Sequence, residues 1–563
     1  MWKLTLAPVN KRQLRAAWVA TVGNRDWPSS PGLSVTQQQE EWKRLLDQMK
    51  SMNLNAVILQ VRPMADAFYP SSCNPWSKYL TGTQGKDPGY DPLAFLLKET
   101  HRRNLEFHAW FNPFRVSTDT RLESLVPDHP ARRHPDWVVA YGGQLYYDPG
   151  IPEVRDHVID SIVEVVNRYG IDAVHLDDYF YPYPVGNESF PDDGTYRRYG
   201  QQRFANQEDW RRDNVNRFIC GLSKSIRQLK PKLKFGISPF GIWRNRTTDP
   251  TGSDTSGLQS FDELYVDTRT WIRQGWLDYV VPQIYWNLGY SPAAYEKLVN
   301  WWAGEVRGYP LHLYIGHAAY KIGQDNEAWD NPEEIANQLH ENLLYPEVKG
   351  SVFFAISDLS RNPLGVRDRL ATDFFRCPAL VPSAPWLDQA PPPAPAIRSV
   401  KRIPEGVKIE WTDHSADTVY LVLYRFADGE AENREDPRNI RFLIRKKGSS
   451  SSVTDPTASP GKTWTYLLTA VDSLHNESPP SKTARLIPLY KVIAGSFQKL
   501  ENAQARKSYL EQNGIEAAIV EIQVNGENRH RVQAGAFSQR SSAEARLEEI
   551  RKLGITDGFI VYE

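Results

Sequence analysis

Short apolar segments alternate with amphipathic segments over about the first two thirds of the chain. The apolar segments have the length and near-continuous hydrophobicity of strands buried on both faces of a parallel sheet. The segments between them have a helical period; in residues 36–52, Thr36 and Gln39 predict a capping box. The eight predicted strands are LRAAWVAT (14–21), NAVILQVR (55–62), LEFHAWFN (105–112), IDAVHLDD (171–178), LKFGISPF (233–240), LDYVVPQIYW (277–286), LHLYIGHA (311–318) and GSVFFAIS (350–357).

Eight strand-then-helix units predict an α/β fold, a closed (β/α)8 TIM barrel over residues 1–378. A doubly wound open sheet is the alternative class, but it needs no eighth strand. No glycine-rich phosphate loop follows the first predicted strand, which also disfavours that class. We therefore expect a barrel, with its functional side chains at the carboxyl ends of the strands.

A proline- and alanine-rich segment, residues 382–397, predicts a semi-rigid linker, to which we assign residues 379–397. Short alternating segments separated by turn residues then predict a β-sandwich over residues 398–488. Trp411 and residues 466–478 resemble the B and F strands of a fibronectin type III module, which implies a spacer. The predicted sandwich strands are GVKIEWT (406–412), TVYLVLYRF (418–426), NIRFLIRKK (439–447), SVTDPT (452–457) and TWTYLLTAVDS (463–473).

The last part of the chain contains an internal repeat. Residues 490–520 and 530–561 align without a gap at a period of 40, and each carries the motif VxAGxF. Each half predicts strand, helix, strand, so residues 489–563 predict a small α+β (βαβ-βαβ) domain with one sheet face free. An RNA-recognition module shares this topology, but the central strands lack the paired aromatic or basic residues that stack bases.

The repeat resembles a SPOR domain, and VxAGxF is the specific part of the match. In that family the exposed sheet face binds peptidoglycan glycan strands that have lost their stem peptides. The resemblance therefore implies peptidoglycan as the partner of this domain, and the candidate contacts on the free face and its rim are Ser496, Phe497 and Gln533.

Composition excludes some classes of partner. The chain has 67 Lys and Arg against 68 Asp and Glu, so its charge does not indicate electrostatic binding of nucleic acid or anionic lipid. No segment approaches a membrane span, and the first residues have too short an apolar patch for a secretory segment. The 3 cysteines lie far apart, and the barrel segment shows no Cys/His or HxE metal spacing and no phosphate loop, so we expect neither a metal nor a cofactor. The 18 Trp and 27 Tyr suit a protein that stacks rings on a ligand.

The fourth predicted strand carries the candidate chemistry. In GIDAVHLDDYFYPYP (170–184) an apolar strand ends in two adjacent carboxylates, Asp177 and Asp178, and aromatic rings follow. Rings beside acids indicate carbohydrate, because a sugar stacks on rings while carboxylates bind its hydroxyls and supply the acid for glycosidic cleavage. The candidate substrate-binding residues, at or just beyond strand tips, are Arg62, Asn112, His175, Tyr179, Tyr181, Gln283, Tyr285 and Trp286.

Strand alternation limits the roles of the two acids. Asp177 shares a face with Ala173 and His175 and should point into the barrel mouth. Asp178 has the opposite parity and reaches the site only if the chain turns there, which the following prolines favour. Two neighbouring carboxylates repel, so one should hold a proton as general acid while the other stays charged. If the pair is wrong, Asp66 and Asp267 are the next candidates.

Five motifs resemble the glycosyl-hydrolase-like 10 family, bacterial barrel proteins of the cell envelope of which one branch digests denuded peptidoglycan glycans. The resemblance implies glycosidase activity and an extracytoplasmic location in the cell wall or envelope. The motifs fall in order on the predicted strand tips and are RAAWVATVGNRDWP (15–28), AWFNPFRV (109–116), GIDAVHLDDYFYPYP (170–184), FGISPFGIWRN (235–245) and VPQIYWNLGY (281–290).

Three alternatives stay open at this point. Residues 172–177 are faintly similar to the strand-four motif of the chitinase-like family 18, but that family's acid would fall on Tyr179. A substrate-assisted mechanism on an N-acetylated glycan therefore ranks below a conventional carboxylate pair. The substrate could be another amino-sugar polymer, such as partly deacetylated poly-N-acetylglucosamine. The chain could also be a non-catalytic wall-glycan-binding protein, in which the two acids only accept hydrogen bonds.

Overall fold

A computed structural model of the chain describes residues 6–324, 326–524 and 527–563. Residues 1–5, on which part of the secretory argument rests, lie outside the described residues. The chain divides into two compact units, Met1–Ala390 with Ser473–Asn476, and Pro391–Asp472 with Glu477–Glu563. Among the helices that the structure describes, none is long and apolar enough to cross a membrane.

The first unit contains a closed barrel of eight strands, each parallel to its neighbours, with the last strand paired to the first. This confirms the predicted (β/α)8 barrel and excludes the open doubly wound sheet. The strands are β1 (Leu14–Val19), β2 (Ala56–Arg62), β3 (Glu106–Phe111), β4 (Ala173–Leu176), β5 (Lys234–Ile237), β6 (Tyr279–Val280), β7 (His312–His317) and β8 (Val348–Phe353).

A helix follows each barrel strand. The first begins at Val35, and Ser34 with Gln37 forms its capping box, two residues earlier than the predicted pair. The principal helices are α1 (Val35–Ser51), α2 (Pro92–Arg102), α3 (Pro152–Arg168), α4 (Gln207–Leu229), α5 (Thr268–Arg273), α6 (Tyr295–Val306), α7 (Glu334–Asn342) and α8 (Ile356–Ser360). Short helices lie at Lys78–Thr81, Pro130–Arg133, Asp193–Tyr199, Ser260–Glu263 and Val366–Arg369.

The alternation along β4 decides what faces the barrel interior. Val174 and Leu176 belong to the apolar layer between strands and helices. Ala173 belongs to the separate cluster inside the barrel, which also contains Trp18 and Trp110. The residue that continues the inward parity beyond β4 is Asp177, and the strand therefore aims its side chain into the barrel mouth.

A small antiparallel sheet interrupts the path from β3 to α3. Its strands are Arg115–Ser117, Val138–Tyr141 and Gln144–Tyr147. Gly142 and Gly143 make the turn of the hairpin with φ of 53° and 78°, the backbone that a tight two-residue hairpin turn requires. This sheet was not predicted, although two glycines between alternating segments are a hairpin signal, and it fixes the position of Arg115.

The second unit begins with a β-sandwich of two antiparallel sheets, ordered β9-β10-β13 and β12-β11-β14-β15. The sandwich confirms the predicted fold class, whereas membership of the fibronectin type III family stays a prediction. The first and last strands were not predicted, and the first overlaps the end of the predicted linker. The strands are β9 (Ala396–Ile403), β10 (Gly406–Thr412), β11 (Tyr420–Ala427), β12 (Ile440–Arg445), β13 (Ser450–Asp455), β14 (Trp464–Val471) and β15 (Ala484–Leu486).

The repeat forms a four-stranded antiparallel sheet in the order β17-β18-β16-β19, with two helices packed on one face. Gly495 and Gly535 have φ of 143° and 135°, and a Cβ on either would lie 2.7 Å from the ring of the motif phenylalanine. The motif glycines are therefore fixed by close packing. The elements are β16 (Tyr490–Phe497), α9 (Leu500–Gln512), β17 (Ala518–Val524), β18 (Glu527–Phe537), α10 (Arg540–Lys552) and β19 (Phe559–Tyr562).

Candidate active site

A cavity of about 440 Å³ opens at the carboxyl ends of the barrel strands. Side chains from the loops after seven different strands form its wall, as is usual for a barrel enzyme. The two acids of β4 lie in it together with aromatic rings and three cationic groups. The lining residues are Trp18, Ala20, Val22, Arg25, Gln60, Trp110, Arg115, Asp177, Asp178, Tyr179, Tyr183, Ser238, Phe240, Gln283, Tyr285, Trp286, Tyr320, Lys321 and Phe354.

Asp177 is 4% exposed and is held by donors from its own and the neighbouring strand. The indole Nε1 of Trp110 donates to its Oδ2 at 3.2 Å, and the Nδ2 of Asn112 donates to the same oxygen. The backbone N–H of Tyr179 donates to Oδ1 at 3.2 Å. Because Oδ2 accepts two bonds, Oδ1 is the oxygen that retains room for a proton.

Asp178 is also buried, at 2% exposure, in spite of its outward parity. The chain turns after β4, and the hydroxyl of Tyr183 donates to Asp178 Oδ2. The Nε2 of Gln283, beyond β6, donates to Oδ1 at 3.1 Å and also to the backbone oxygen of Ser238 at 2.9 Å. One donor from the turn after β4 and one from beyond β6 therefore hold this carboxylate in the cavity.

The two carboxyl groups shift each other's ionisation. Burial, and next the charge of Asp178, raise the pKa of Asp177 to about 7. Burial also raises the pKa of Asp178, while hydrogen bonds from Tyr183 and Gln283 act in the opposite direction. The pair can therefore hold one proton near neutral pH, with Asp177 as the carrier and Asp178 as the hydrogen-bonded anion.

His175 lies one layer below the acids and does not line the cavity. Burial holds the pKa of His175 well below its usual value, so the imidazole is neutral. Its Nε2 lies 3.1 Å from the indole Nε1 of Trp18 and 3.0 Å from the Oγ of Ser238. An indole N–H can only donate, so His175 Nε2 accepts and the imidazole proton resides on Nδ1. His175 thus supports two residues of the cavity wall.

A chain of buried hydrogen bonds continues from His175 along the barrel interior. Its Nδ1 lies 3.1 Å from the hydroxyl of Tyr279, which lies 3.0 Å from the Nδ1 of His108. The Nε2 of His108 lies 3.0 Å from Glu106 Oε2. Although burial opposes it, Lys234 helps to hold the pKa of Glu106 well below its usual value, so this carboxylate accepts. The three hydrogen bonds of this series are therefore donated in the same direction, from His175 through Tyr279 and His108 to Glu106.

Removing the hydroxyl in Tyr279→Phe is expected to lower the free energy of unfolding by about 1–3 kcal/mol, because two buried imidazole nitrogens lose their partner. Calorimetry of the intact chain should show the barrel transition at a lower temperature. Tyr320→Phe is the matched control, since Tyr320 is partly exposed in the cavity wall. Equal effects of the two substitutions would contradict the assigned chain.

Three further predicted binding residues lie behind the cavity wall, which corrects their expected position. Arg62 is fully buried, and its Nη1 donates to the backbone oxygens of Asn112 and Pro113 at 2.7 and 3.1 Å. The register of β2 against β3 shifts between Gln60 and Arg62, so Gln60 reaches the cavity and Arg62 turns away. Strand-end position alone could not show this bulge.

Asn112 and Tyr181 are the other two predicted binding residues that lie behind the cavity wall. Asn112 is fully buried between Gln60, whose Nε2 donates to its Oδ1 at 2.5 Å, and Asp177. It therefore orients the acid from behind. Tyr181 is 1% exposed and packs edge-on against Phe190, with a ring separation of 5.2 Å. Of the predicted binding residues, the cavity wall contains Tyr179, Gln283, Tyr285 and Trp286.

The two reserve acids do not line the cavity. Asp267 caps α5, where its Oδ1 accepts from the backbone N–H of Thr270 at 3.1 Å. Asp66 is 2% exposed and accepts from the backbone N–H of Met64 at 3.2 Å. Both carboxylates therefore serve local structure. In the part of the chain that the structure describes, no group of three acidic, histidine or cysteine side chains is placed to hold a metal ion.

Several cavity residues were not singled out from the sequence as site residues. Trp18 and Trp110 are the inward-facing rings of β1 and β3, and strand alternation could have placed both at the mouth. Tyr183 belongs to the aromatic run after β4. Arg115 depends on the unpredicted small sheet, and Lys321 and Phe354 follow β7 and β8, where no motif drew attention.

In the repeat domain, register separates the three predicted glycan contacts. Gln533 lies opposite Ile493 on the face away from the helices, because its neighbours Val532 and Ala534 are buried in the helix-side core. Ser496 lies opposite Arg531, which has the same parity as Gln533. Phe497 instead packs against the helix-side core, with the Arg506 guanidinium 5.3 Å from its ring centre, so the structure does not place it on the free face.

A closed (β/α)8 barrel whose mouth joins two buried carboxylates to aromatic walls has the groups that glycosidic cleavage requires. Residues 13–331 match the model of the glycosyl hydrolase-like 10 family, and residues 488–562 match the SPOR domain. The chain belongs to the glycosyl hydrolase-like 10 family and is a glycosidase with a SPOR domain.

Known proteins are similar to this chain over different parts of its length. Glycosyl hydrolase YngK of Bacillus subtilis (strain 168) is 52% identical over 479 residues, covering 84% of this chain and 93% of YngK. Glycosyl hydrolase DigH of Escherichia coli (strain K12) is 42% identical over 367 residues, covering 61% of this chain and 83% of DigH. The PgaB (BpsB) glycoside hydrolase domain from Bordetella bronchiseptica is 12% identical with a TM-score of 0.41, over 65% of this chain and 99% of that domain.

Proposed function

We propose that this enzyme hydrolyses the glycan strands of peptidoglycan and prefers strands that have lost their stem peptides. One observation carries the proposal: a cavity with a proton-sharing carboxylate pair and stacking rings belongs to the same chain as a SPOR domain. The barrel supplies the chemistry of glycosidic cleavage, and the SPOR domain supplies retention on the polymer. The enzyme therefore works in the cell envelope, where its substrate lies.

The arrangement of the acids supports a division of roles. Asp177 donates its proton to the oxygen of the leaving sugar, since its raised pKa keeps the carboxyl protonated near neutral pH. Asp178 remains the anion and stabilises the positive charge that develops on the sugar ring. Tyr179, Tyr285 and Trp286 line the cavity without being fully buried and offer ring surface on which the sugar rings stack.

The pH dependence of kcat/KM follows from these roles. Activity is expected to fall as pH rises through about 7, because Asp177 then loses its proton. Activity should also fall at acidic pH, where Asp178 becomes protonated. Tyr183→Phe removes a donor to the Asp178 carboxylate, so the acidic limb should move to higher pH while the alkaline limb moves less. A flat profile from about pH 5 to about pH 9 would contradict the assignment.

The preference for denuded strands is tested with matched substrates. Sacculi are divided, one portion is treated with an amidase that removes stem peptides, and sugar release by the purified enzyme is measured from both. Faster release from the treated portion is expected. Partly deacetylated poly-N-acetylglucosamine is assayed in parallel. Cleavage of that polymer but of neither peptidoglycan portion would assign the enzyme to another amino-sugar substrate.

A further inference from the structure

The cavity wall contains three cationic side chains but only two acidic ones. Arg25, Arg115 and Lys321 line it together with Asp177 and Asp178. Arg25 already forms an ion pair, with its Nη2 at 2.6 Å from Asp358 Oδ2 outside the cavity. Arg115 forms no ion pair within residues 6–324, 326–524 and 527–563. Since the two acids can share a proton, they leave positive charge in the cavity uncompensated, which favours an anionic group on the substrate.

Arg115 is held in one orientation with its terminal nitrogens available. Its Nε donates to the backbone oxygen of Pro63 at 3.1 Å, and its guanidinium carbon lies 5.4 Å from the centre of the Tyr179 ring. Its backbone is fixed by pairing with Tyr146 in the small sheet. Among the described residues, neither Nη atom has a hydrogen-bond partner. A fixed guanidinium fork with free Nη donors is the geometry that binds a carboxylate through two hydrogen bonds.

The chemistry of the glycan identifies which carboxylate this is. Each muramic acid residue carries a lactyl ether, whose carboxyl group is amide-bonded to the stem peptide in intact peptidoglycan. Removal of the peptide leaves a free carboxylate on that sugar. A glucosamine polymer has no such group. A free lactyl carboxylate therefore distinguishes denuded peptidoglycan, the proposed substrate, from intact peptidoglycan and from a glucosamine polymer.

We propose that Arg115 binds the free lactyl carboxylate of a muramic acid residue and so selects denuded strands. This inference rests on the proposed function of the same cavity. A stem peptide converts the carboxylate into a neutral amide and adds bulk beside Tyr179, so it removes the charged partner of Arg115. Selection then operates in the cavity itself, in addition to retention by the SPOR domain.

The test uses one glycan in two chemical forms. Amidase-treated strands are divided, and the lactyl carboxylates of one portion are converted to methylamides with a carbodiimide. The intact enzyme is expected to cleave the acidic form about 10- to 100-fold more efficiently in kcat/KM, the range for a hydrogen-bonded charge pair. Arg115→Gln should lose this preference, because it slows cleavage of the acidic form more than cleavage of the amide form, and Arg115→Lys should retain part of it.

Arg203→Gln is the matched control, because it removes the same charge from an exposed arginine that also lies over a ring, that of Phe204 at 5.6 Å. It should keep the preference of the unmodified enzyme. Equal rates of the unmodified enzyme on both forms, or an equal loss on both forms in Arg115→Gln, would overturn the role of Arg115. Cleavage of neither form would instead overturn the proposed function.

Discussion

Asp177→Asn and Asp178→Asn are each expected to lower kcat on denuded glycan by about 10²- to 10⁴-fold, the range for general acid catalysis. Each substitution keeps the size of the side chain. Asp177→Asn removes the transferable proton, and Asp178→Asn removes the anion that stabilises the transition state. Glycan affinity should persist in both, because Tyr179, Tyr285 and Trp286 keep their stacking surfaces.

Single-turnover assays and direct binding measurements separate these two effects. Asp267→Asn is the matched control, because Asp267 caps a helix and does not line the cavity. Near-normal kcat in both cavity variants would reject β4 as the source of the acid. Loss in one variant alone would keep the site and break the pair, so the second group would have to come from another loop.

Deletion of residues 489–563 is expected to abolish retention on denuded sacculi while hydrolysis of short soluble glycans stays nearly unchanged. Binding to the polymer and cleavage depend on different domains, and linked domains raise the effective concentration of the cavity on an insoluble strand. Co-sedimentation with amidase-treated sacculi measures retention. Turnover of soluble glycan in the same preparation shows that the barrel of the shortened chain remains folded.

The full-length variant Gln533→Ala should weaken retention without changing soluble turnover, since Gln533 lies on the helix-free face of the sheet. Phe497→Leu should weaken it less specifically, by loosening the helix-side core. Equal retention of the shortened and complete chains would show that the barrel or the sandwich holds the polymer instead.

Strand periodicity predicted the barrel because each parallel strand must be buried on both faces, and that constraint is written in local sequence. The same parity predicted the direction of Asp177 correctly. Asp178 shows where local sequence becomes insufficient. Its burial depends on the turn after β4 and on Gln283, a donor more than 100 residues away. The pKa values of both acids are then raised by burial and by contacts that form only in the closed barrel.

The predicted binding residues that lie behind the cavity wall do so for different reasons, since a bulge turns Arg62 away whereas Tyr181 packs against Phe190. The sequence shows which residues end a strand but not the bulges that turn a side chain away from the mouth. One register shift in β2 turns Arg62 away from the cavity, and Gln60 lines the cavity instead. Arg115 reaches the cavity through a small sheet that the sequence pattern did not reveal. Polar residues at strand ends therefore predicted the location of the site better than its individual contacts.

The most direct test of the central claim is mass spectrometry of sugars released from amidase-treated sacculi in water enriched in heavy oxygen. The account predicts soluble, peptide-free oligosaccharides of glucosamine and muramic acid whose new reducing ends carry the heavy oxygen. It also predicts that the Asp177→Asn enzyme releases almost none. Release of anhydro sugars without the label would contradict hydrolysis. Equal release by the Asp177→Asn enzyme would contradict the claim that the carboxylate pair carries out the cleavage.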